Sequence, residues 1–301
     1  MGRVVLDHLE MERIGMSSGK GNNRVNLTER DLGAVELVKD YGMLTTSQIQ
    51  RLLYPTLQKA QTRLLRLFKA GMVQRFAYPV LPWEGGKGEY VYHLKSRPRT
   101  ALSLLRHTLK LNDVRIAFEL ACRKKNGQVN LVEFIPEYKG VKGRRNDQKP
   151  VRATEDTVGV RNGTGGEILI PDAVLCLENP ATKKRALFFL EVDLGSEKLI
   201  STTPGHYSLL KKIMLYKKYF NNRGYDRYAK TFDYDFKGFR VLTVMDSKTR
   251  ISRLRTALAE TRIQGFAWFT DTATIKGADV LGKIWLMTDP NDKNKYSIIS
   301  N

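Results

Sequence analysis

Apolar positions recur at helical spacing from residue 27 onward. Leu32, Val35, Leu37 and Val38 make one face of a first helix. Thr28 is placed to cap it, with Asp31 three residues on, and Gly42 to stop it. A short second helix is predicted from a cap at Thr45 or Thr46 to about Tyr54-Pro55. A third runs over residues 57–70, with Leu57, Ala60, Leu64 and Leu67/Phe68 inward, and stops at Gly71. Two strand-like runs follow, 72–78 and 89–94, joined by a glycine-rich loop.

Beyond residue 100 the periodicity changes. Residues 100–125 read as two helical segments, the second starting at Leu111, and 128–135 as a strand. Residues 138–166 show no apolar period and carry many basic side chains, so they are expected to form a basic loop. Strands are predicted at 173–177 and 186–194, with a polar turn between them. A helix is expected at 204–220, a buried strand at 239–245 and a helix from Asp246 or Ser247 to Arg262. Short strands at 265–269 and 283–287 precede a polar tail, 289–301.

Three short helices followed by a hairpin describe a winged helix-turn-helix. A hairpin followed by strand–helix–strand crossovers describes a mixed sheet with flanking helices. The chain therefore reads as α/β (α+β overall). Its expected parts are a mobile arm, 1–26, a winged helix, 27–99, and a mixed-sheet domain, 100–301.

Charge then points to a partner. Of 301 residues, 51 are Lys or Arg and 31 Asp or Glu, a net charge of +20. The excess is spread over both domains, so a polyanion is expected, DNA or RNA ahead of an anionic membrane. In the winged helix, Gln58, Lys59, Thr62, Arg63, Arg66 and Lys69 fall on the other face of the third helix, where such side chains reach base edges and phosphates. Lys87, Arg97 and Arg99 lie on or after the wing, and Arg144 and Arg145 lie in the basic loop. No stretch has the length of a membrane span and no secretory signal is visible, so a cytoplasmic location is expected. Cys122 and Cys176 sit in apolar runs and read as reduced core residues.

Three carboxylates stand out. Asp172 follows Pro171 at the start of one strand, and Glu191 and Asp193 share one face of the next. Burying such charges without partners is costly, so they mark either chemistry or structural ion pairs. In the latter case Asp193 is expected to pair with Lys211 or Lys212.

The order of helix, strand, hairpin, helix and strand, with P-D on one strand and E-x-D on the next, resembles the PD-(D/E)XK nuclease superfamily, the restriction-endonuclease-like fold. A winged helix ahead of it, with LNDVRIAF, ILIPDAVLCL…ALFFLEVDLGSE, LLKKIMLYKKYF and GKIWLMTD in order, resembles the replication-relaxation family of plasmids and integrated mobile elements. The resemblance covers residues 27–288. It implies Mg²⁺ or Mn²⁺ held by Asp172, Glu191 and Asp193, with Glu119 as an extra acid, and phosphodiester cleavage. Where the superfamily has a lysine this chain has Asp193, so Lys211 or Lys212 from the following helix is expected to take that place.

The expected function is a double-stranded-DNA-binding protein acting in replication, relaxation or mobilisation of a mobile element, nicking or cutting DNA. The expected partners are DNA, a second copy of the chain, and plasmid replication or transfer proteins. An alternative is a non-catalytic regulator or replication accessory with a degenerate nuclease fold. A relaxase using a tyrosine nucleophile fits less well. The four histidines, His8, His93, His107 and His206, form no close pair in sequence, and only His206-Tyr207 juxtaposes the two residue types.

Overall fold

Thr28 opens the first helix because Oδ2 of Asp31 reaches back to its backbone N–H and its hydroxyl, both at 2.7 Å. Such local devices punctuate the whole chain. The computed structural model describes residues 3–4, 27–79, 88–94, 101–142, 149–159, 166–201, 207–261, 263 and 265–299. The expected arm, 1–26, lies almost wholly outside them. The chain divides into two compact units, 1–116 and 117–301.

In the first unit, Arg3–Val4 (β1) pairs antiparallel with Leu27–Thr28 (β2). Helix α1, Glu29–Tyr41, buries Ala34, Val35 and Val38 and ends at Gly42, whose φ of 76° suits glycine. Leu44–Thr45 (β3) leads into α2, Thr46–Leu53. Thr45 caps α2 through its side chain, and Oε1 of Gln48 accepts the Thr45 N–H at 3.0 Å. The Glu89 carboxylate adds two bonds, from Ser47 N at 2.9 Å and Ser47 Oγ at 2.8 Å, placing an anion at the positive end of α2. Thr56 caps α3, Leu57–Lys69, which buries Ala60, Leu64 and Leu67. Gln74–Ala77 (β4) and Tyr90–His93 (β5) form the predicted hairpin, and β3 completes a three-stranded sheet in the order β3-β5-β4.

Two details differ from the sequence expectation. Leu57 and Phe68 are 45% and 39% exposed rather than inward. Residues 102–124 form one unbroken helix, α4 (Leu102–Lys124), not two. Asn112 and Asp113 do not interrupt it, because tertiary partners engage them. Asn112 Nδ2 donates to the Met43 carbonyl at 2.6 Å, and Asp113 accepts from Gln48 and Arg51 at 3.0 and 3.1 Å. Polar side chains so engaged no longer compete for the helix backbone. Leu105 and Leu109 of α4 pack with Val91 of β5.

The second unit is built on a five-stranded mixed sheet. Its strands are Asn130–Pro136 (β6), Ala173–Asn179 (β11), Lys184–Asp193 (β12), Phe239–Met245 (β13) and Ala267–Asp271 (β14), in the order β14-β13-β12-β11-β6. β6, β11 and β12 run antiparallel; β12, β13 and β14 run parallel. Helix α5, Leu209–Asn221, connects β12 to β13 together with a 3-10 turn at Gly224–Arg227 and the short helix α6, Tyr228–Phe232. Helix α7, Lys248–Glu260, capped by Ser247, connects β13 to β14, and Thr272–Gly277 (α8) follows. Phe189, Tyr216, Tyr219, Phe239, Leu254 and Phe269 belong to its main core.

Residues 138–166 are not simply a loop. Tyr138–Lys142 (β7) pairs with Lys149–Arg152 (β8), and Asp156–Val158 (β9) with Glu167–Leu169 (β10). A two-stranded ribbon pairs the backbone groups of its facing edges without needing a broad apolar face, which is why no period announces it. The expected strand at 283–287 makes only isolated bridges, Phe269–Leu286 and Trp285–Tyr296. The polar tail nevertheless packs. Trp285 and Ile298 are buried, and the Arg255 guanidinium bonds the carbonyls of Met287, Asp289 and Asp292. Among the described residues, no helix is long and apolar enough to cross a membrane.

Candidate functional site

Alternation along β12 turns Phe189, Glu191 and Asp193 toward one face. Phe189 anchors that face against α5, its ring 5.5 Å from Tyr216 and 5.8 Å from Tyr219. One step along the strand, Glu191 meets Lys212 and Tyr216, which stand one turn apart on α5 and so share a side. Lys212 Nζ donates to Glu191 Oε2 at 2.5 Å, and the Tyr216 hydroxyl donates to Oε1 at 2.5 Å. Glu191 is 3% and Lys212 6% exposed. Ser208 fixes the start of α5, its hydroxyl accepting the Lys211 N–H at 3.3 Å.

Asp172 stands just ahead of β11 and is tied to β12. Its N–H donates to the Leu190 carbonyl at 3.1 Å, and its Oδ2 accepts the Val192 N–H at 2.6 Å. Asp172, Glu191 and Lys212 therefore interact electrostatically. Burial raises the Glu191 carboxyl, Lys212 opposes that rise and Asp172 adds to it, and the balance lies at about 8. Burial opposes the charged form of Lys212, but Glu191 and Asp172 outweigh it and hold the ammonium above its ordinary value. Next to Glu191 on β13, the buried hydroxyl of Thr243 has no hydrogen-bond partner among the described residues.

Asp193 is engaged differently. Arg250, at the start of α7, grips it with two bonds, Nε to Oδ2 at 2.8 Å and Nη2 to Oδ1 at 3.0 Å; Gly195 N–H also donates to Oδ1 at 3.0 Å. The expected partners Lys211 and Lys212 give way to Arg250 because the first turn of α7 follows β13, the strand beside β12. Glu119 pairs with Arg123 on α4 at 3.7 Å. Among the described residues, no group of three or more His, Cys, Asp or Glu side chains is placed to hold a metal ion. Burial raises the Tyr207 phenol, as do Glu191, Glu197 and Asp172, while Lys212 pulls the other way; the net rise disfavours its use as a phenolate, and His206 lies outside the described residues.

In the first unit, α3 presents Gln58, Lys59, Thr62, Arg66 and Lys69 to solvent. Arg63 turns away from them. Its Nε bonds Asp31 Oδ1 at 2.8 Å and its Nη2 bonds Oδ2, bracing α3 against the start of α1. Burial would raise the Asp31 carboxyl, yet Arg63 and Thr28 hold it below its ordinary value. Lys87, Arg97, Arg99, Arg144 and Arg145 lie outside the described residues.

Sequence reasoning missed Tyr216 and Arg250 as members of the carboxylate cluster. Tyr216 had a signal, since its i+4 spacing from Lys212 puts both on one helical side. Arg250 had none, being 57 residues from Asp193 along the chain.

The sequence profile of the replication-relaxation family matches residues 35–234. No curated protein matches the chain. Among solved structures, the restriction endonuclease FokI, in a structure bound to DNA and in a second structure, aligns at 12% identity over 88% of this chain, with TM-scores of 0.22 and 0.21. The chain spans about half, 48%, of the length of those FokI chains.

Proposed function

This chain belongs to the replication-relaxation family, and we propose that it binds double-stranded DNA in the replication or relaxation of a plasmid or integrated mobile element. The observation that carries this reading is the solvent face of α3. The side chains of Gln58, Lys59, Arg66 and Lys69 are exposed and have no partner among the described residues. In a winged helix this is the helix that enters the major groove. The three helices and three-stranded sheet of the first unit support that assignment, and so does the net charge of +20.

A second observation favours cleavage as well. Lys212 reaches Glu191 from α5, on the edge where Asp172 crosses to β12. Asp172 and Glu191 would supply the oxygen ligands of an ion such as Mg²⁺ or Mn²⁺, which often takes only one or two protein carboxylates, with Glu191 exchanging its bond to Lys212 or Tyr216 for the ion. Asp193 is held by the two-pronged grip of Arg250 and by Gly195. A metal held by Asp172 and Glu191 would supply an activated water and positive charge at the scissile phosphate. Lys212, kept charged by the two carboxylates, places a cation beside that position. Tyr216 holds Glu191 in place from its other oxygen.

The test uses the full chain with supercoiled plasmid and with linear fragments of its own element's origin. Salt-sensitive binding to the fragments is expected, and failure to bind any of them at low salt overturns the reading. Mg²⁺- or Mn²⁺-dependent nicking is expected to vanish in Asp172→Asn, a variant that keeps an acceptor for Val192 N–H. Binding without nicking under either metal leaves a DNA-binding accessory and removes the cleavage reading.

A further inference from the structure

Arg75 is the side chain whose surroundings the foregoing leaves unexplained. It sits in β4 opposite Tyr92, so Tyr90, two residues along β5, is its diagonal neighbour on the same face of the hairpin. The Arg75 guanidinium carbon lies 3.8 Å from the centroid of the Tyr90 ring and 4.5 Å from that of Phe68, at the C-terminal end of α3. The two rings are 42% and 39% exposed. Two large aromatics left at the surface are thus both spent on positioning one cation.

The nitrogen edge of that cation is a different matter. Among the described residues, no carboxylate or carbonyl accepts from the Arg75 side chain. Of the two acids on the hairpin, Glu84 lies outside the described residues, and Glu89 has its carboxylate bonded to Ser47. Guanidinium N–H groups form a planar fork that matches two oxygens of a phosphate, and stacking on rings leaves that in-plane fork available. Holding the group between rings also removes part of the rotamer freedom that a long side chain would otherwise lose on binding. Arg66 and Lys69, on the same helix as Phe68, are exposed as well.

We infer that Arg75, held by Phe68 and Tyr90, is a preformed receptor for a phosphate of the DNA backbone, at the junction of α3 and the hairpin. This rests on the DNA-binding reading above and adds a contact that fixes the protein on the duplex without reading its sequence.

The test measures affinity of the full chain for an origin duplex and for a scrambled duplex across a salt series. Arg75→Ala is expected to weaken both by the same factor, roughly 5- to 20-fold, and to reduce the slope of log K against log salt by about 1. Arg75→Lys keeps the charge but not the fork, and is expected to keep the slope while losing affinity. Tyr90→Leu with Phe68→Leu is expected to weaken binding roughly 2- to 5-fold with the slope unchanged. These two variants also answer the question if Arg75→Ala lowers the unfolding temperature. The inference is overturned if Arg75→Ala binds with parental affinity and slope while Arg66→Ala binds more weakly. It is equally overturned if Arg75→Ala weakens the origin duplex alone, which would make it a base contact. Failure of the parent chain to bind either duplex is a separate result and removes the DNA-binding reading itself.

Discussion

The Lys212 ammonium lies 2.5 Å from Oε2 of Glu191, and both side chains are buried. Each makes the other's burial tolerable. Removing Lys212 leaves Glu191 buried without its cation, which typically costs about 3–5 kcal/mol where the carboxyl is ionised. Lys212→Met is therefore expected to lower stability by about that much above pH 8, where Glu191 is ionised in the parent, and by less at neutral pH, read as a shift in the urea midpoint. The double variant Lys212→Met/Glu191→Gln is expected to recover a large part of the loss, because no uncompensated carboxylate remains. Equal midpoints for Lys212→Met and the parent would show that the pair contributes nothing.

The same pair predicts a pH dependence. Burial lifts the Glu191 carboxyl from its ordinary 4.5 to about 8. A folded-state value above the unfolded one means that folding favours the protonated form. The contribution is fully present below pH 4.5 and is lost as pH rises toward 8. Lys212 is also raised, so its contribution persists to high pH and fades only above its unfolded value of 10.5. The stability difference between the parent and Glu191→Gln is accordingly expected to move against the parent between pH 4.5 and 8. Chemical denaturation at a series of pH values reads this directly, and a difference that stays flat across that window contradicts it.

Arg63 and Arg66 are three residues apart on α3 and are expected to behave in opposite ways. Arg63 braces buried Asp31, so Arg63→Ala is expected to destabilise the first unit by about 3 kcal/mol. Arg66 is exposed, so Arg66→Ala is expected to change stability by less than about 0.5 kcal/mol and to weaken DNA binding. Thermal unfolding and binding titrations on the two variants separate framework from interface. Asp31 adds a pH signature: its lowered carboxyl contributes stability above its unfolded value of 3.8 that is lost as pH falls through the folded value.

Gly224 precedes α6 and lies against the ring of Tyr219, where a Cβ would collide with three ring carbons. Tyr219 is buried, and its hydroxyl bonds Asp156 at 2.7 Å, so the ring has little room to retreat. Gly224→Ala is expected to cost about 1–3 kcal/mol, measured by thermal or urea unfolding. Gly127→Ala provides a contrast, because its cost would come from the backbone, φ being 83°, with open space around the added methyl.

Much of this protein was legible along the chain. Thr28, Thr45, Gly42 and Gly71 mark helix ends by backbone chemistry that acts within a few residues. The alternation through Phe189, Glu191 and Asp193 put both acids on one face, and the run at 239–245 announced a buried strand, in which only Arg240 is half-exposed. Local sequence determines such features because caps and strand alternation operate over short spans. Partner choice does not. Glu191 and Asp193 are two residues apart with nearly the same chemistry, yet one meets Lys212 from α5 and the other Arg250 from α7. That division depends on which helix starts beside the ends of β12 and β13, a consequence of sheet order. Arg63 carried the same charge as Arg66, and only the approach of Asp31 from α1 took it out of the solvent face. The ribbons within 138–166 were hidden for a related reason, since pairing between strands satisfies backbone groups whatever side chains they bear. The tertiary structure decided which charges meet, because ion pairs and strand pairs join residues that the chain keeps far apart.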